Sequence, residues 1–274
     1  MPDAQKKDMI AYLAHNLLRE NRYYDYATVS DNCTTRVFDL IKKTLGSGFK
    51  PGPVLPVGSR LTYRDLSVTA CLPYERKTML RLFTNLIYSS PIDRKPANDE
   101  IGFVPNMIKE SMAGATLNGK LLCGPLIVLL PETIEWPSET NWPLLISIVL
   151  ALVIIAGVVS PKFSLPASIA GFIMLLTMTT LGLLMIRLWS IDGEPAWKWN
   201  YNLLWAVPTH IIFPFLKDKV RRGYCIVALA AIGFALVVNA LRIQEMPVTE
   251  LWPLWLALVF YFGYHYKKSL YSAR

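Results

Sequence analysis

The second half of the chain is dominated by apolar stretches long enough to cross a membrane. Five of them lie at about 142–160, 164–190, 201–216, 223–241 and 250–266. A membrane helix needs roughly 20 apolar residues to cross ~30 Å of hydrocarbon, and most of the stretches approach that length. The third is shorter and is interrupted by Pro208 and Pro214, which membrane helices tolerate when neighbours pair the freed backbone groups. The sequence therefore predicts five transmembrane helices in residues 142–274.

The charged residues predict the orientation of these helices. Most of the formal net charge of +8 belongs to the apolar half, whose basic segments are 217–223 and the C-terminal KKSLYSAR. With five spans, both basic segments fall on one side of the membrane, which the positive-inside rule makes cytoplasmic. Residues 1–141 then lie in the periplasm of a Gram-negative cell. We expect a multi-pass bacterial inner-membrane protein, and no binding of nucleic acid, which would need a basic patch on a folded surface.

The first half of the chain has the loops and short amphipathic segments of a folded domain. Residues 4–21 predict a helix with its apolar residues on one face: Ile10, Leu13, Ala14 and Leu17. Residues 33–45 predict a second helix, which ends at Gly46. Its inward-facing residues should be Val37, Leu40, Ile41 and Leu45.

Further elements are indicated along this half. A Gly- and Pro-rich loop occupies residues 46–60, and helices are expected in 61–67, 75–88 and 106–112. The apolar segment PLIVLL, residues 125–130, is too short to cross a bilayer and predicts a buried strand.

A cysteine stands where the second helix should begin. Asp31 and Asn32 are both good N-cap residues, and either places Cys33 in the first helical turn. The unpaired backbone N–H groups and the positive end of the helix dipole stabilise a thiolate there. The same N–H groups can stabilise the oxyanion that forms in acyl transfer. The pattern is compatible with a nucleophile; the alternative is a capped helix start whose cysteine is a small buried hydrophobic residue.

A thiol nucleophile also needs a base, and no histidine of the sequence suits Cys33. His15 falls on the polar side of the first predicted helix, where we expect a solvated side chain. His210 falls within the third apolar stretch, and His265 falls at the cytoplasmic end of the last one.

The other three cysteines give no sign of chemistry. Cys71, Cys123 and Cys225 form no CxxC pair with each other or with Cys33, and we expect them to be structural. The three histidines form no metal-ligand cluster, so we expect neither a metal site nor a cofactor.

Several segments resemble those of one bacterial family, in the same order along the chain. ENRYYDYATVSDNCTTRVFDLI resembles a block with Y-x-Y and D-N-C-T/A-T-R, and TYRDL, PIDRKPANDEIGFVP and NYNLLWAVPTH resemble later blocks. The family is that of the Lnb-type lipoprotein N-acyltransferases. The resemblance implies an α+β thiol domain at residues 1–141, akin to part of a circularly permuted papain-like or NlpC-like hydrolase. It also implies an all-α bundle of five membrane helices at residues 142–274.

The resemblance further implies an activity and its residues. The family adds the N-acyl chain to the lipidated N-terminal cysteine of lipoproteins, so Cys33 would be the nucleophile that carries the acyl group as a thioester. A membrane phospholipid would be the acyl donor and a lipoprotein the acceptor. Supporting residues at the oxyanion or substrate site would be Asn32, Asp31, Arg36 and Tyr26. Lipid-facing residues would be Tyr201, Asn202 and Trp205.

The family's catalytic histidine precedes the cysteine motif, in a segment that this sequence does not contain. We therefore expect an N-terminally truncated member, without a signal peptide. Two alternatives stay open: a papain-like or NlpC-like amidase or peptidase of the cell envelope, and a catalytically inactive remnant. The membrane bundle favours acyl transfer over the hydrolase, because such hydrolases do not require one.

Overall fold

The computed structural model describes residues 3–71, 78–130 and 140–271, apart from the side chains of 69–71. These residues divide into two compact units. The first consists of 1–72, 94–136 and 193–196, and the second consists of 73–93, 137–192 and 197–274. Each unit is therefore assembled from segments distant in sequence.

The described residues form nine α-helices and three short strands. In chain order the helices are α1 (Asp3–Leu17), α2 (Cys33–Leu45), α3 (Tyr63–Cys71), α4 (Thr78–Ile87), α5 (Pro105–Ala113), α6 (Trp142–Val159), α7 (Ser164–Trp189), α8 (Asp218–Ala240) and α9 (Val248–Tyr271). The strands are β1 (Phe49–Lys50), β2 (Thr116–Leu117) and β3 (Lys120–Leu121).

In the first unit, α2 begins and ends where the sequence predicts. The α-helix ends at Gly46, where a 3-10 turn, Gly46–Gly48, begins. Gly46 has a φ of 71°, which favours glycine, and its N–H donates to the Lys42 carbonyl. The buried residues of α2 are Thr35, Phe38 and Leu45. The prediction that Val37 faces inward is wrong, because its side chain is more than half exposed.

The apolar face predicted for α1 is also wrong. Ile10, Leu13 and Leu17 are exposed, and no residue of α1 is buried. The helix instead contacts α2 through its other side, where the Tyr12 ring lies 5.0 Å from Lys43 Nζ. Helical periodicity identified the helix, but it did not identify the face that packs.

The strands form one small antiparallel sheet in the order β1-β2-β3. Phe49 pairs with Leu117, and β2 pairs with β3 through a tight turn at Asn118 and Gly119, both with positive φ. The predicted strand at 125–130 is not formed, and Leu126 to Leu130 are exposed. A strand is stabilised by side-chain pairs with a neighbouring strand, and among the described residues no strand pairs with this segment.

The second unit is a helical bundle with a continuous apolar core, in which Trp205 and Trp255 lie with ring centroids 5.2 Å apart. Three helical stretches are long and apolar enough to cross a membrane: Trp142–Val159, Pro161–Trp189 and Asp218–Ala240. Helix α9 has a non-helical residue at Leu251, two positions before Pro253, which lacks a backbone donor.

The third predicted transmembrane helix is not an α-helix. Residues Tyr201–Leu204 and Pro208–Phe215 form 3-10 turns instead, so the prediction of five α-helices is corrected to four long ones in the described part of residues 142–274. Pro208 starts the second turn and Pro214 lies within it, and neither can donate a backbone hydrogen bond.

This segment nevertheless runs along the whole of α8. At one end the Tyr201 N–H donates to Gln244 Oε1, beyond the end of α8. At the other end Arg221, in the first turn of α8, donates from Nη2 to the Pro214 carbonyl. A 3-10 helix rises about 2.0 Å per residue, which is more than an α-helix rises. This segment therefore needs fewer residues than α8 to cover the same length. We call residues 200–216 the irregular pass.

Candidate functional site

The start of α2 is fixed by the side chain of Asn32. Its Oδ1 accepts hydrogen bonds of 2.8 Å from the N–H groups of both Thr34 and Thr35. Thr35 Oγ1 in turn accepts from the Asn32 N–H at 2.7 Å. This reciprocal pairing is a capping box, and it places Cys33 at the first position of the helix.

The side-chain nitrogen of Asn32 connects the helix cap to other segments of the first unit. Its Nδ2 donates to the carbonyls of Thr28 and Phe103, at 2.8 and 2.9 Å. Asn32 is 5% exposed, so these bonds are made away from solvent. The side-chain nitrogen and the side-chain oxygen of Asn32 both make their hydrogen bonds within the protein. Asn32 therefore positions the helix start, and it has no spare N–H to donate to an oxyanion.

The Cys33 thiol is exposed. Its Sγ lies 3.8 Å from Thr34 Oγ1, and no histidine nitrogen within the described ranges is at hydrogen-bonding distance from it. Among the same residues, the Cys33 N–H has no acceptor, unlike the N–H groups of Thr34 and Thr35. The alternative of a small buried hydrophobic residue is thereby corrected: the structure presents a thiol beside a free backbone donor.

An ion pair stands beside the cap. Arg36 donates from Nε and Nη2 to the two oxygens of Asp31, at 2.7 and 2.8 Å, and its guanidinium carbon lies 3.5 Å from the Tyr24 ring centroid. The hydrogen bond from Arg36 lowers the pKa of Asp31, against a smaller opposing effect of burial. Asp31 is thus a poor candidate for a base. The guanidinium of Arg36 is paired with the Asp31 carboxylate. Tyr26 lies 6.3 Å from Tyr24, ring to ring, and is more than half exposed.

A buried carboxylate holds the loop that precedes the cap. Glu194 Oε2 accepts from the N–H and the hydroxyl of Thr28, both at 2.6 Å, and Oε1 accepts from the Ala196 N–H. The loop closes on itself through the pairing of Ala27 with Asp31. Sequence reasoning missed Glu194, because 166 residues separate it from Thr28 and nothing local marks the contact.

His15 does not approach the thiol. It is exposed, as the sequence predicts. Its ring lies next to Asn21, whose Nδ2 is 3.1 Å from Nε2. Of the other cysteines, Cys123 is exposed and Cys225 is buried, while the side chain of Cys71 lies outside the described residues.

A pocket of about 250 Å³ opens on the side of α2 that carries Thr35 and Phe38. Arg94 lies on its wall, paired through both Nη atoms with Glu100 and 4.6 Å from the Tyr63 ring centroid. The hydrogen bond from Arg94 is the main cause that lowers the pKa of Glu100 to about 2. Burial raises the pKa of Tyr63 to about 12. Cys33 is not among the residues that line this pocket.

The three residues predicted to face lipid lie on the irregular pass of the second unit. Asn202 and Trp205 are completely buried, which corrects the prediction for them, and Tyr201 is partly buried. Asn202 Nδ2 donates to the Asn85 carbonyl at 2.6 Å, and its Oδ1 accepts from Trp205 Nε1. The side chains of Asn202 and Trp205 are therefore in contact with the protein interior and not with lipid.

Comparison with known families matches both parts of the chain. Residues 1–66 match the model of the Lnb N-terminal periplasmic domain, and residues 137–272 match the model of the Lnb transmembrane domain. The first match contains the Asn32 cap and Cys33, and the second contains the irregular pass. Searches of curated proteins and of solved structures returned no match.

Proposed function

Because the chain belongs to the Lnb family, with that family's periplasmic domain followed by its transmembrane domain, we propose that it is a membrane-bound thiol acyltransferase. The reaction adds the N-acyl chain to the lipidated N-terminal cysteine of lipoproteins. Cys33 is the nucleophile, a membrane phospholipid is the acyl donor, and a lipoprotein is the acceptor.

One observation supports this proposal above the others: an exposed thiol at the first position of a rigidly capped helix. The free N–H of Cys33 is available to a developing oxyanion, while Asn32 and Thr35 keep the helix start in place.

The proposed reaction has two steps. First, the Cys33 thiolate attacks an ester carbonyl of the phospholipid. A C–S bond forms, the ester C–O bond breaks, and the leaving alkoxide takes up a proton. Second, the free α-amine of the lipoprotein attacks the thioester. A C–N bond forms, the C–S bond breaks, the amine loses a proton, and the thiolate is regenerated.

The membrane bundle suits a reaction between two lipid-anchored substrates, because it confines both near one site. We propose that the irregular pass is the third of five crossings, since it runs along α8 from one end to the other. Five crossings place the basic residues 217–222 and the C-terminus on one side, which the positive-inside rule makes cytoplasmic. The thiol domain then belongs to the periplasmic side, with a partial papain-like or NlpC-like fold.

A second candidate is a catalytically inactive chain. It is favoured by the absence of any histidine nitrogen near Cys33 Sγ in the described part of the chain, since a thiol nucleophile is normally activated by an adjacent base. The hydrolase alternative differs in both steps: Cys33 attacks an amide carbonyl, the C–N bond breaks and a protonated amine leaves, and water then hydrolyses the thioester.

Lipoprotein mass spectrometry separates these candidates. The chain is expressed in a bacterial strain depleted of its own N-acyltransferase, and the acyl chains on a reporter lipoprotein are counted. A third acyl chain supports acyl transfer, and its absence with normal expression supports the inactive candidate. Digestion of purified peptidoglycan without lipoprotein acylation would instead support the hydrolase.

Cys123 supplies a matched control, because it is a second exposed free cysteine of the first unit. Cys33→Ser should abolish addition of the third acyl chain, whereas Cys123→Ser should leave it within about twofold of the unmodified protein. Retention of activity in Cys33→Ser would rule out the thioester mechanism.

A further inference from the structure

One end of the helical bundle contains a pocket of about 420 Å³ that the acyl-transfer chemistry does not use. It lies entirely within the second unit, at the junction of α6 with α7 and at the last turns of α9. Its lining includes the basic residues Arg221, His265 and Lys268, together with two serines and two tyrosines, and apolar residues such as Ile154, Phe172 and Phe213. The pocket is therefore amphipathic, with cationic side chains facing apolar ones.

The charge around this pocket is strongly positive. The described residues at this end of the bundle include seven basic side chains against the one carboxylate of Asp218: Lys162, Lys217, Lys219, Arg221, Arg222, Lys267 and Lys268. Asp218 accepts from Arg221 Nη1 at 3.2 Å and offsets part of its charge. Among the residues that the structure describes, no carboxylate forms an ion pair with Lys267 or Lys268.

Two nitrogen atoms of the pocket residues are buried without a hydrogen-bond partner. They are Arg221 Nε and His265 Nδ1, for which no acceptor is found in the described ranges. Buried polar groups in proteins are nearly always paired, because an unpaired one loses its hydrogen bonds to water without replacement. Arg221 Nε can only donate, so a ligand that brings an acceptor into this pocket would supply its missing partner.

An apolar groove continues from the same pocket. It has a volume of about 570 Å³, shares Val158, Tyr264 and Lys268 with the first pocket, and extends along Val259 and Phe260. Lys268 thus belongs to both spaces, at the boundary between the cationic one and the apolar one. A ligand that fills both must combine an anionic group with a long apolar chain.

We propose that this end of the bundle binds an anionic glycerophospholipid. Its phosphate lies against Arg221 and Lys268, within reach of His265, and an acyl chain lies in the groove along Val259 and Phe260. Guanidinium and ammonium groups are the usual phosphate ligands in proteins, and basic pockets between membrane helices recognise lipid head groups in this way. This site is separate from Cys33 and does not depend on the acyltransferase proposal.

Native mass spectrometry of the full chain tests the proposal. The protein is purified in detergent and titrated with phosphatidylglycerol or with phosphatidylcholine of the same acyl chains. We expect phosphatidylglycerol to be retained at least about tenfold better, since each basic residue near a lipid surface contributes roughly 1 kcal/mol. Equal retention of the two lipids would overturn the proposal.

A pair of matched variants separates the pocket from general surface charge. Arg221→Gln with Lys268→Gln should reduce phosphatidylglycerol retention about tenfold or more. Lys217→Gln with Lys219→Gln removes the same charge outside the pocket lining and should change retention by less than about twofold. Equal losses in the two double variants would show that only surface charge attracts the lipid, which contradicts the proposed site.

Two further measurements cover the cases in which a variant fails to fold or the pocket binds any anion. If the Arg221 variant does not fold, Lys268→Gln alone serves, because Lys268 is exposed, and a loss of about fivefold is expected. Inorganic phosphate at millimolar concentration should not displace the lipid. Displacement by phosphate would show a plain anion site without a contribution from the groove, and would overturn the assignment of a lipid.

Discussion

Asn32 and Thr35 hydrogen-bond to each other in both directions across the first turn of α2. The Thr35 N–H donates to Asn32 Oδ1 at 2.8 Å, and the Asn32 N–H donates to Thr35 Oγ1 at 2.7 Å. The Asn32 amide also donates to two carbonyls elsewhere in its unit. The helix start that holds the thiol is therefore fixed both by a local cap and by longer-range bonds.

The first prediction concerns this cap. Asn32→Ala should destabilise the protein by about 2–3 kcal/mol, because it removes an N-cap and leaves the carbonyls of Thr28 and Phe103 without their donor. Thermal unfolding in detergent measures the loss, and hydrogen exchange should show faster exchange of the Thr34 and Thr35 amides. Asn141→Ala is the matched control, since Asn141 caps α6 through one bond to Leu144 N. Equal effects of the two variants would contradict the longer-range role of Asn32.

The second prediction concerns the accessibility of the cysteines. In a Cys71→Ser background, a membrane-impermeant maleimide should label Cys33 and Cys123 in the native protein, because both thiols are exposed. Cys225 is buried and should react only after denaturation. Peptide mass spectrometry after labelling identifies the modified residues. Native labelling of Cys225, or protection of Cys33, would contradict the structure.

The third prediction concerns pH. The pKa of Glu100 falls from its ordinary value of 4.5 to about 2 in the folded protein. Between these values, unfolding takes up a proton, so the stability that Glu100 contributes is complete above pH 4.5 and is lost as the pH falls towards 2. Arg94 and Glu100 are both more than one-third exposed, so solvent screening keeps the contribution small.

Glu100→Gln isolates this effect. The difference in melting temperature between the unmodified protein and the variant should be constant above about pH 5 and should shrink between 4.5 and 2. A difference that does not change across this interval would show that the pKa of Glu100 is not lowered by folding.

The fourth prediction concerns the packing of the irregular pass on α7. A Cβ atom at Gly182 would collide with the Ala206 carbonyl oxygen and with the Pro208 ring. Gly182→Ala should therefore destabilise the bundle by about 1–3 kcal/mol, as overpacking does elsewhere. Gly233→Ala is the control, because a Cβ there meets open space within α8 and should be neutral or slightly stabilising. Melting temperatures in detergent compare the two, and similar losses would contradict the close approach.

Some elements of the fold were predictable because their signals are local. The bounds of α2 follow from Asn32 at one end and Gly46 at the other. The hairpin of β2 and β3 has an equally local signal, the dipeptide Asn118-Gly119, which the sequence analysis overlooked. The thiol of Cys33 is exposed, and its role as a nucleophile stays a prediction.

Other features depend on contacts between distant residues, and one sequence does not reveal these. The packed face of α1, and Val37 of α2, were misassigned because periodicity groups residues without identifying what covers them. Glu194 accepts hydrogen bonds from Thr28, which is 166 residues away in sequence. Trp205 looked like a lipid-facing aromatic residue, but it is buried next to Trp255.

The irregular pass also has a consequence for how the membrane domain is made. An α-helix satisfies its own backbone and can enter the bilayer alone, whereas 3-10 turns interrupted by proline need outside partners. Here the Ile211 N–H donates to Thr179 Oγ1 of α7, and Tyr224 of α8 contacts the His210 ring. These partners belong to the helices on either side of it in the chain. Residues 200–216 therefore depend on α7 and α8 for these contacts, and we expect them to enter the bilayer together with both helices rather than alone.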